Sequence, residues 1–208
     1  MAYPLLVVTA VAAEADAVRA GADPRHVVVE AVGVGPAAAA AGAARLLAAR
    51  RYRAVISAGI AGGFPGRAPV GATVIGARSI AADLGAETPD GFLPIEELGF
   101  GRSLLDADPG LVEALGAALP AAIVGDVLTL ATVTGTAGTA ARLAARFPQA
   151  AAEAMEGFGV ATAAGDVPFA ELRAISNPIG PRDRAAWRLA EAFAALSTAS
   201  AVLWTACG

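Results

Sequence analysis

Two glutamates, an arginine and an amide stand in this 208-residue chain where a plain surface role explains them poorly. Glu14, in TAVAAEADAV, follows the apolar run PLLVVT and so falls in the first turn of the next helix. An acid is favoured at a helix N-terminus. The same place, beyond the carboxyl end of a strand, is also where α/β proteins bind ligands. Glu156, in AEAMEGFGVATAAG, is followed by small and apolar residues. A buried carboxylate is costly unless it is paired or meets ligand hydroxyls. The alternative is a solvated helix stripe shared with Glu153, three residues before it. ELRAISNPIG reads as a buried strand that stops at Asn177-Pro178. Pro178 keeps Asn177 extended and ends the ladder, so turn chemistry is one account of the amide. Arg173, four residues earlier in the same apolar run, opens a second account. Together these groups could move a proton, hold hydroxyls and read a heterocycle that both donates and accepts.

Two glycine-rich turns are weaker signals. VGVGPAAAAAG places Gly33, Gly35 and Ala38 in a G-x-G-x-x-A pattern between a strand and a helix. That pattern calls for an acid at the end of the next strand, and none is there. Pro36 also removes one amide, so a tight turn packing a helix is the favoured reading. In ISAGIAGGF, Gly59, Gly62 and Gly63 let a ligand approach the backbone, or simply form a tight turn. His26 is the sole histidine and has no partner for a metal site. No metal or cofactor is expected.

The elements that must position these residues alternate between Val/Ile/Leu runs and Ala-rich stretches. The spacing predicts strands near 4–9, 27–32, 53–57, 72–77, 123–133 and 171–176. Helices are predicted over 12–20, 36–49, 109–118, 138–146, 150–164 and 182–205. That order predicts one α/β domain over 1–208, with a central mixed, mostly parallel sheet flanked by helices. The stretch of about thirty residues after 77, containing ADLGAETPDGF, is long enough to be a functional loop or lid. Hydrophobic residues make up 56% of the chain and charged ones 16%, so a core is affordable even though alanine inflates the count. A net charge of −4 without any Lys/Arg run argues against nucleic acid or an anionic membrane as partner. One cysteine, Cys207, fits a reducing cytoplasm. The N-terminal twenty residues lack a basic region and read as a first strand rather than a signal peptide.

In order and wording, these segments resemble the purine-nucleoside phosphorylase and nucleosidase superfamily, especially its methylthioadenosine/S-adenosylhomocysteine nucleosidase branch. The resemblance implies that superfamily's three-layer fold. It also implies a catalytic glutamate at Glu14 and a Met-Glu ribose clamp at Met155 and Glu156. ISAGIAGGF is similar to the central Gly-rich strand, which places Gly59 and Ile60 against substrate. RAISNPIG corresponds to the strand carrying Arg173, Ser176 and the base reader Asn177. Where the nucleosidase branch has an aspartate that protonates a 6-aminopurine, this chain has Asn177. An amide releases no proton near neutrality, but it donates and accepts at once. That suits a 6-oxopurine such as hypoxanthine.

Phosphorylases of the superfamily hold phosphate with an arginine at the position of Ser57 and a serine at that of Ile60. Their absence implies that water is the nucleophile. ADLGAETPDGF and ISNPIGPRDRAAW resemble the futalosine hydrolase family in particular. This implies release of hypoxanthine from futalosine, in the alternative menaquinone pathway, with the loop near 82–92 covering the 5′ substituent. It further implies a homodimer. A purine nucleoside phosphorylase, an adenine-type nucleosidase and a non-catalytic nucleoside-binding domain are the alternatives.

Overall fold

The computed structural model describes residues 3–207. Strand β1 (Leu5–Thr9) is buried along its whole length. Its alternate residues feed two cores: Leu5 and Val7 enter one, Leu6 and Val8 the other. A strand covered on both faces has no polar side to show, which is why the run is continuously apolar. Helix α1 (Ala12–Gly21) crosses over to β2 (Val27–Ala31), and α2 (Pro36–Ala49) leads to β3 (Val55–Gly63). β1 lies parallel between β2 and β3.

Strand β4 (Thr73–Ala81) is followed by the hairpin β5 (Gly85–Thr88) and β6 (Gly91–Pro94), then the short β7 (Leu104–Asp106). Next come α3 (Pro109–Ala118), β8 (Ile123–Thr129), α4 (Ala137–Arg146), β9 (Ala150–Ala154) and α5 (Gly157–Ala164). The chain ends in β10 (Phe169–Pro178), α6 (Leu189–Ser200) and α7 (Leu203–Cys207). The main sheet runs β10-β4-β8-β9-β3-β1-β2, and β10 also pairs with β3. Five strands, β3, β9, β8, β4 and β10, therefore close into a barrel, from which β1 and β2 extend. Most pairings are parallel; β3–β9, β4–β7 and β4–β10 are antiparallel.

Helices cover both faces. Val18 of α1, Leu115 of α3, Leu196 of α6 and Leu203 of α7 pack on Leu5, Val7, Ile56 and Leu172. On the other face, Ala39 and Ala43 of α2 and Val160 of α5 pack on Leu6, Val8 and Val55. Each fully buried Leu, Val or Ile contributes about 1.5–3 kcal/mol against exposure. The expected α/β class and three layers are those observed.

Several predicted boundaries differ. Residues 150–164, predicted as one helix, are strand β9 followed by α5. Alanine favours helix, but every residue of β9 is buried between β3 and β8, and barrel packing overrides propensity. The helix predicted over 182–205 is a 3₁₀ turn (Arg184–Ala186) followed by α6 and α7. Strand 53–57 continues through the glycines to Gly63, because β9 and β10 flank that end. The strand predicted over 123–133 ends at Thr129. The long connection after 77 is largely ordered as the end of β4, a hairpin and an edge strand.

Candidate active site

A cleft of about 490 Å³ opens at the carboxyl ends of β1, β3 and β10. Glu14, Ile60, Met155, Glu156, Ser176 and Asn177 all line it. Six of the eight residues singled out from sequence thus share one wall. Gly59 and Arg173 do not line it; they lie directly behind.

Glu14 is 4% exposed and is held by three main-chain N–H groups. Its Oε1 accepts from Ile60 N at 2.9 Å, and its Oε2 accepts from Ala10 N at 3.0 Å and Val11 N at 3.2 Å. The Val11 bond is the carboxylate arm of a capping box, because Glu14 is the third residue of α1. Burial pushes its carboxyl above the ordinary value of 4.5, against the Ile60 N–H and the Arg173 charge, which pull it down. A carboxylate fixed in this way, with a raised proton affinity and access to the cleft, has the properties of a general base.

Gly59 is a correction to the expected substrate contact. A Cβ there would stand 2.6 Å from Glu14 Oε1 and 2.9 Å from Arg173 Nη1. The missing side chain makes room for those two groups, and the neighbouring Ile60 supplies the contact with the cleft.

Arg173 is 1% exposed. Its Nε donates to Glu171 Oε1 at 2.9 Å, Nη2 to Ser57 Oγ at 3.0 Å and Nη1 to Glu156 Oε2 at 3.4 Å. Burial works against the guanidinium charge, but Glu171, Glu156 and Glu14 outweigh it and raise its proton affinity. Glu156 is not inside a helix; it is the N-cap residue of α5, reached directly from β9. Its Oε1 also accepts from Gly35 N at 3.3 Å and its Oε2 from Met155 N at 3.2 Å. The turn at Gly33 and Gly35, both at positive φ, therefore holds a carboxylate and starts α2.

Glu171 escaped the sequence analysis. It is fully buried, accepts from Arg173 and is hydrogen-bonded to Ser79 Oγ. Burial raises its carboxyl above 4.5, partly offset by Arg173. The signal was present: residues i and i+2 of a strand share a face, so Glu171 and Arg173 in an apolar run form a pair. Three carboxyl groups, of Glu171, Glu156 and Glu14, thus surround one guanidinium.

Asn177 reaches the cleft through a backbone irregularity. Arg173 pairs with Gly59 and Ile175 with Ala61, but Asn177 pairs with Gly62. Ser176 is the extra residue of a bulge, a device that re-aims the side chain beside it. Its Oγ lies 2.9 Å from Asn177 Oδ1 and orients the amide, whose Nδ2 donates to the Pro178 carbonyl at 2.9 Å. The oxygen keeps a second lone pair and the nitrogen a second N–H. Among the described residues, Arg182 is the only cationic side chain in the lining, and its guanidinium lies 5.8 Å from the centre of the Trp187 ring.

The phosphorylase superfamily model matches residues 12–205. The futalosine hydrolase of Streptomyces coelicolor is 56% identical over 176 residues, 81% of this chain and 74% of that protein. That of Acidothermus cellulolyticus is 46% identical over 96% of this chain and 92% of its own length. The chain belongs to the futalosine hydrolase family of the phosphorylase superfamily. The fold agrees: a Helicobacter pylori futalosine hydrolase superimposes with a TM-score of 0.81 at 15% identity, covering 100% of this chain and 97% of the other. The Colwellia psychrerythraea methylthioadenosine/S-adenosylhomocysteine nucleosidase, solved with adenine, gives 0.82 at 22% identity, with 98% and 94% covered.

In this futalosine hydrolase family member, the loop expected to cover the 5′ substituent lies elsewhere. Residues 82–102 contribute nothing to the cleft lining. Instead Phe92 sits under the Arg146 guanidinium at 4.0 Å, and Asp83 accepts from Ala131 N at 2.8 Å. The segment after β10 does line the cleft, with Pro181, Arg182, Asp183 and Trp187. Among the described residues, no helix is long and apolar enough to cross a membrane.

Proposed function

We propose that this protein hydrolyses the N-glycosidic bond of futalosine, releasing hypoxanthine and dehypoxanthine futalosine. The observation that carries this is the meeting of Glu14, Glu156 and Asn177 in one cleft of a chain 56% identical to a futalosine hydrolase. In the proposed reaction, the bond between base and ribose loosens ahead of water attack, leaving an oxocarbenium-like sugar. Glu156 accepts from the ribose hydroxyls and Met155 packs against the ring. Glu14 takes a proton from the attacking water as its oxygen bonds to the anomeric carbon. The departing base takes a proton from solvent at N7. The Asn177 amide then donates to O6 and accepts from N7–H. Arg173 acts from behind the wall as a positioning residue for Glu156 and Glu14. No cofactor enters this scheme.

Water is the proposed nucleophile because Ser57 is already engaged by Arg173 and the Ile60 side chain is apolar. A phosphate dianion needs charge-assisted donors, and among the described residues the cleft lining holds one arginine, Arg182, whose guanidinium lies against the Trp187 ring. The test is to incubate the protein with futalosine, inosine and methylthioadenosine, with and without phosphate, and to follow the base and sugar products. Hypoxanthine release from futalosine, unaffected by phosphate and without ribose 1-phosphate, is expected. Phosphate-dependent cleavage would give a phosphorylase instead, and binding without cleavage a nucleoside-binding domain.

Asn177→Asp should lower kcat/KM for futalosine about ten- to hundredfold, since a carboxylate has no N–H for O6. Adenine release from methylthioadenosine should appear or rise in the same variant. An unchanged preference between the two substrates rejects Asn177 as the base reader.

Val11, Val34 and Val133 are apolar, exposed and part of the cleft lining. They support a homodimer whose second chain covers the mouth, measurable by light scattering. A cytoplasmic site of action fits the single cysteine, which is buried.

A further inference from the structure

Glu153 is a further, buried carboxylate in the cleft, and the reaction above gives it no task. It is 5% exposed, lies in β9 and lines the same cavity as Asn177. It does not share a solvated helix face with Glu156. Its Oε1 accepts from Thr134 N at 2.7 Å, and Oε2 is hydrogen-bonded to Thr134 Oγ1. Among the described residues, no arginine pairs with it. Each carboxylate oxygen still has a lone pair to offer.

Strand register places it relative to the base reader. Gly62 of β3 is the partner of Glu153 on the β9 side and of Asn177 on the β10 side. Directly paired residues project to one face, so Glu153, Gly62 and Asn177 form a row across three strands. Gly62 has no side chain, and a Cβ there would come within 2.7 Å of Ile179 Cγ2. Gly62 and the Ile179 side chain packed against it both line the cleft between the two polar residues. With strands 4.7–4.9 Å apart, the two polar residues stand roughly 9–10 Å from each other at Cα. That spacing suits a purine held between them against Gly62 and Ile179, with a hydrogen bond at either edge.

We infer that Glu153 is a second specificity-determining residue, which accepts a hydrogen bond from N1–H of a 6-oxopurine while Asn177 reads O6 and N7. The two residues read opposite features of the same tautomer. Hypoxanthine carries a proton on N1 and satisfies the carboxylate. Adenine presents a lone pair there and faces a negative charge unpaired. Thr134 fixes both oxygens, so the carboxylate does not have to be ordered when the base arrives. This rests on the 6-oxopurine reading of the cleft.

Titration calorimetry with hypoxanthine and 1-methylhypoxanthine, which lacks the N1 proton, tests the inference. Wild type should bind hypoxanthine at least tenfold more tightly, as expected for a hydrogen bond to a charged group. Glu153→Gln keeps the volume and removes the charge. It should weaken hypoxanthine about tenfold or more and leave 1-methylhypoxanthine unchanged. Equal weakening of both ligands would mean a structural role through Thr134 and would overturn the inference, as would unchanged hypoxanthine affinity. If the variant does not fold, the wild-type pair still decides: equal binding of the two bases overturns it. Hypoxanthine release from futalosine by wild type is scored separately. Its absence rejects the parent reading, whereas its presence with an indifferent Glu153→Gln rejects this inference alone.

Discussion

Glu14→Gln is expected to bind the nucleoside substrate with near wild-type affinity while kcat falls by roughly 10²–10⁴. The amide cannot take a proton from water, and this loss is specific to turnover. It also has only one oxygen for two groups of donors. If that oxygen faces Ala10 N and Val11 N, its NH₂ is turned against Ile60 N, and the reverse orientation is no better. One main-chain donor therefore goes unmatched, costing about 1–3 kcal/mol of stability. Melting, substrate binding and hypoxanthine release measured on the same sample separate these effects. The pH profile supplies the second check. Only the ionised base is active, and burial raises the Glu14 carboxyl above 4.5. Activity should therefore fall on acidification along a limb lying above the ordinary carboxylate value. Turnover near wild type in the variant, or an acid limb at or below 4.5, removes Glu14 from the base role.

The second large effect is on stability. Arg173→Met replaces a fully buried cation with a side chain of similar length and leaves Glu171, Glu156 and Glu14 facing one another. Breaking a buried ion pair from one side typically costs about 3–5 kcal/mol. At roughly 2–4 °C per kcal/mol for a chain of this size, melting should fall by about 6–20 °C. The pH dependence has a definite sign. Glu171 already has a folded-state pKa above its unfolded value, and losing Arg173 raises it further. Stability from such a group is complete below the unfolded pKa and is lost as pH rises through the folded one. The deficit of the variant should therefore be smaller at pH 5 than at pH 8. Arg173→Lys, which keeps the charge but not the fork, should recover part of it. Identical melting of wild type and Arg173→Met at both pH values would show that the network contributes nothing to stability.

What could be read directly from sequence was local. A carboxylate among apolar neighbours and an arginine inside a buried run each violate an ordinary preference, Glu14 stands just beyond the end of a strand, and all three sit at the cleft or behind it. What could not be read depended on tertiary pairing. AAAEA looks helical because alanine is, and only closure of the barrel between β3 and β8 makes it a strand. That error left a solvated stripe open as the alternative for Glu153 and hid its relation to Asn177. Gly59 carried no mark separating room for a ligand from room for Glu14 and Arg173. The bulge at Ser176 is likewise invisible in RAISNPIG, because it is defined by the register against β3.

The closure of the barrel also fixes when the site can exist. β3 is complete by residue 63, but the strand that seals the ring against it begins at Phe169. Pairings this distant in sequence carry a high loop-closure cost and form slowly. A growing chain therefore holds Glu14 and Ile60 long before Arg173 and Asn177 arrive to meet them. The nucleoside pocket is a product of the last stage of folding, and a chain cut before β10 would leave β3 with an open edge of unpaired amides in place of a base-binding wall.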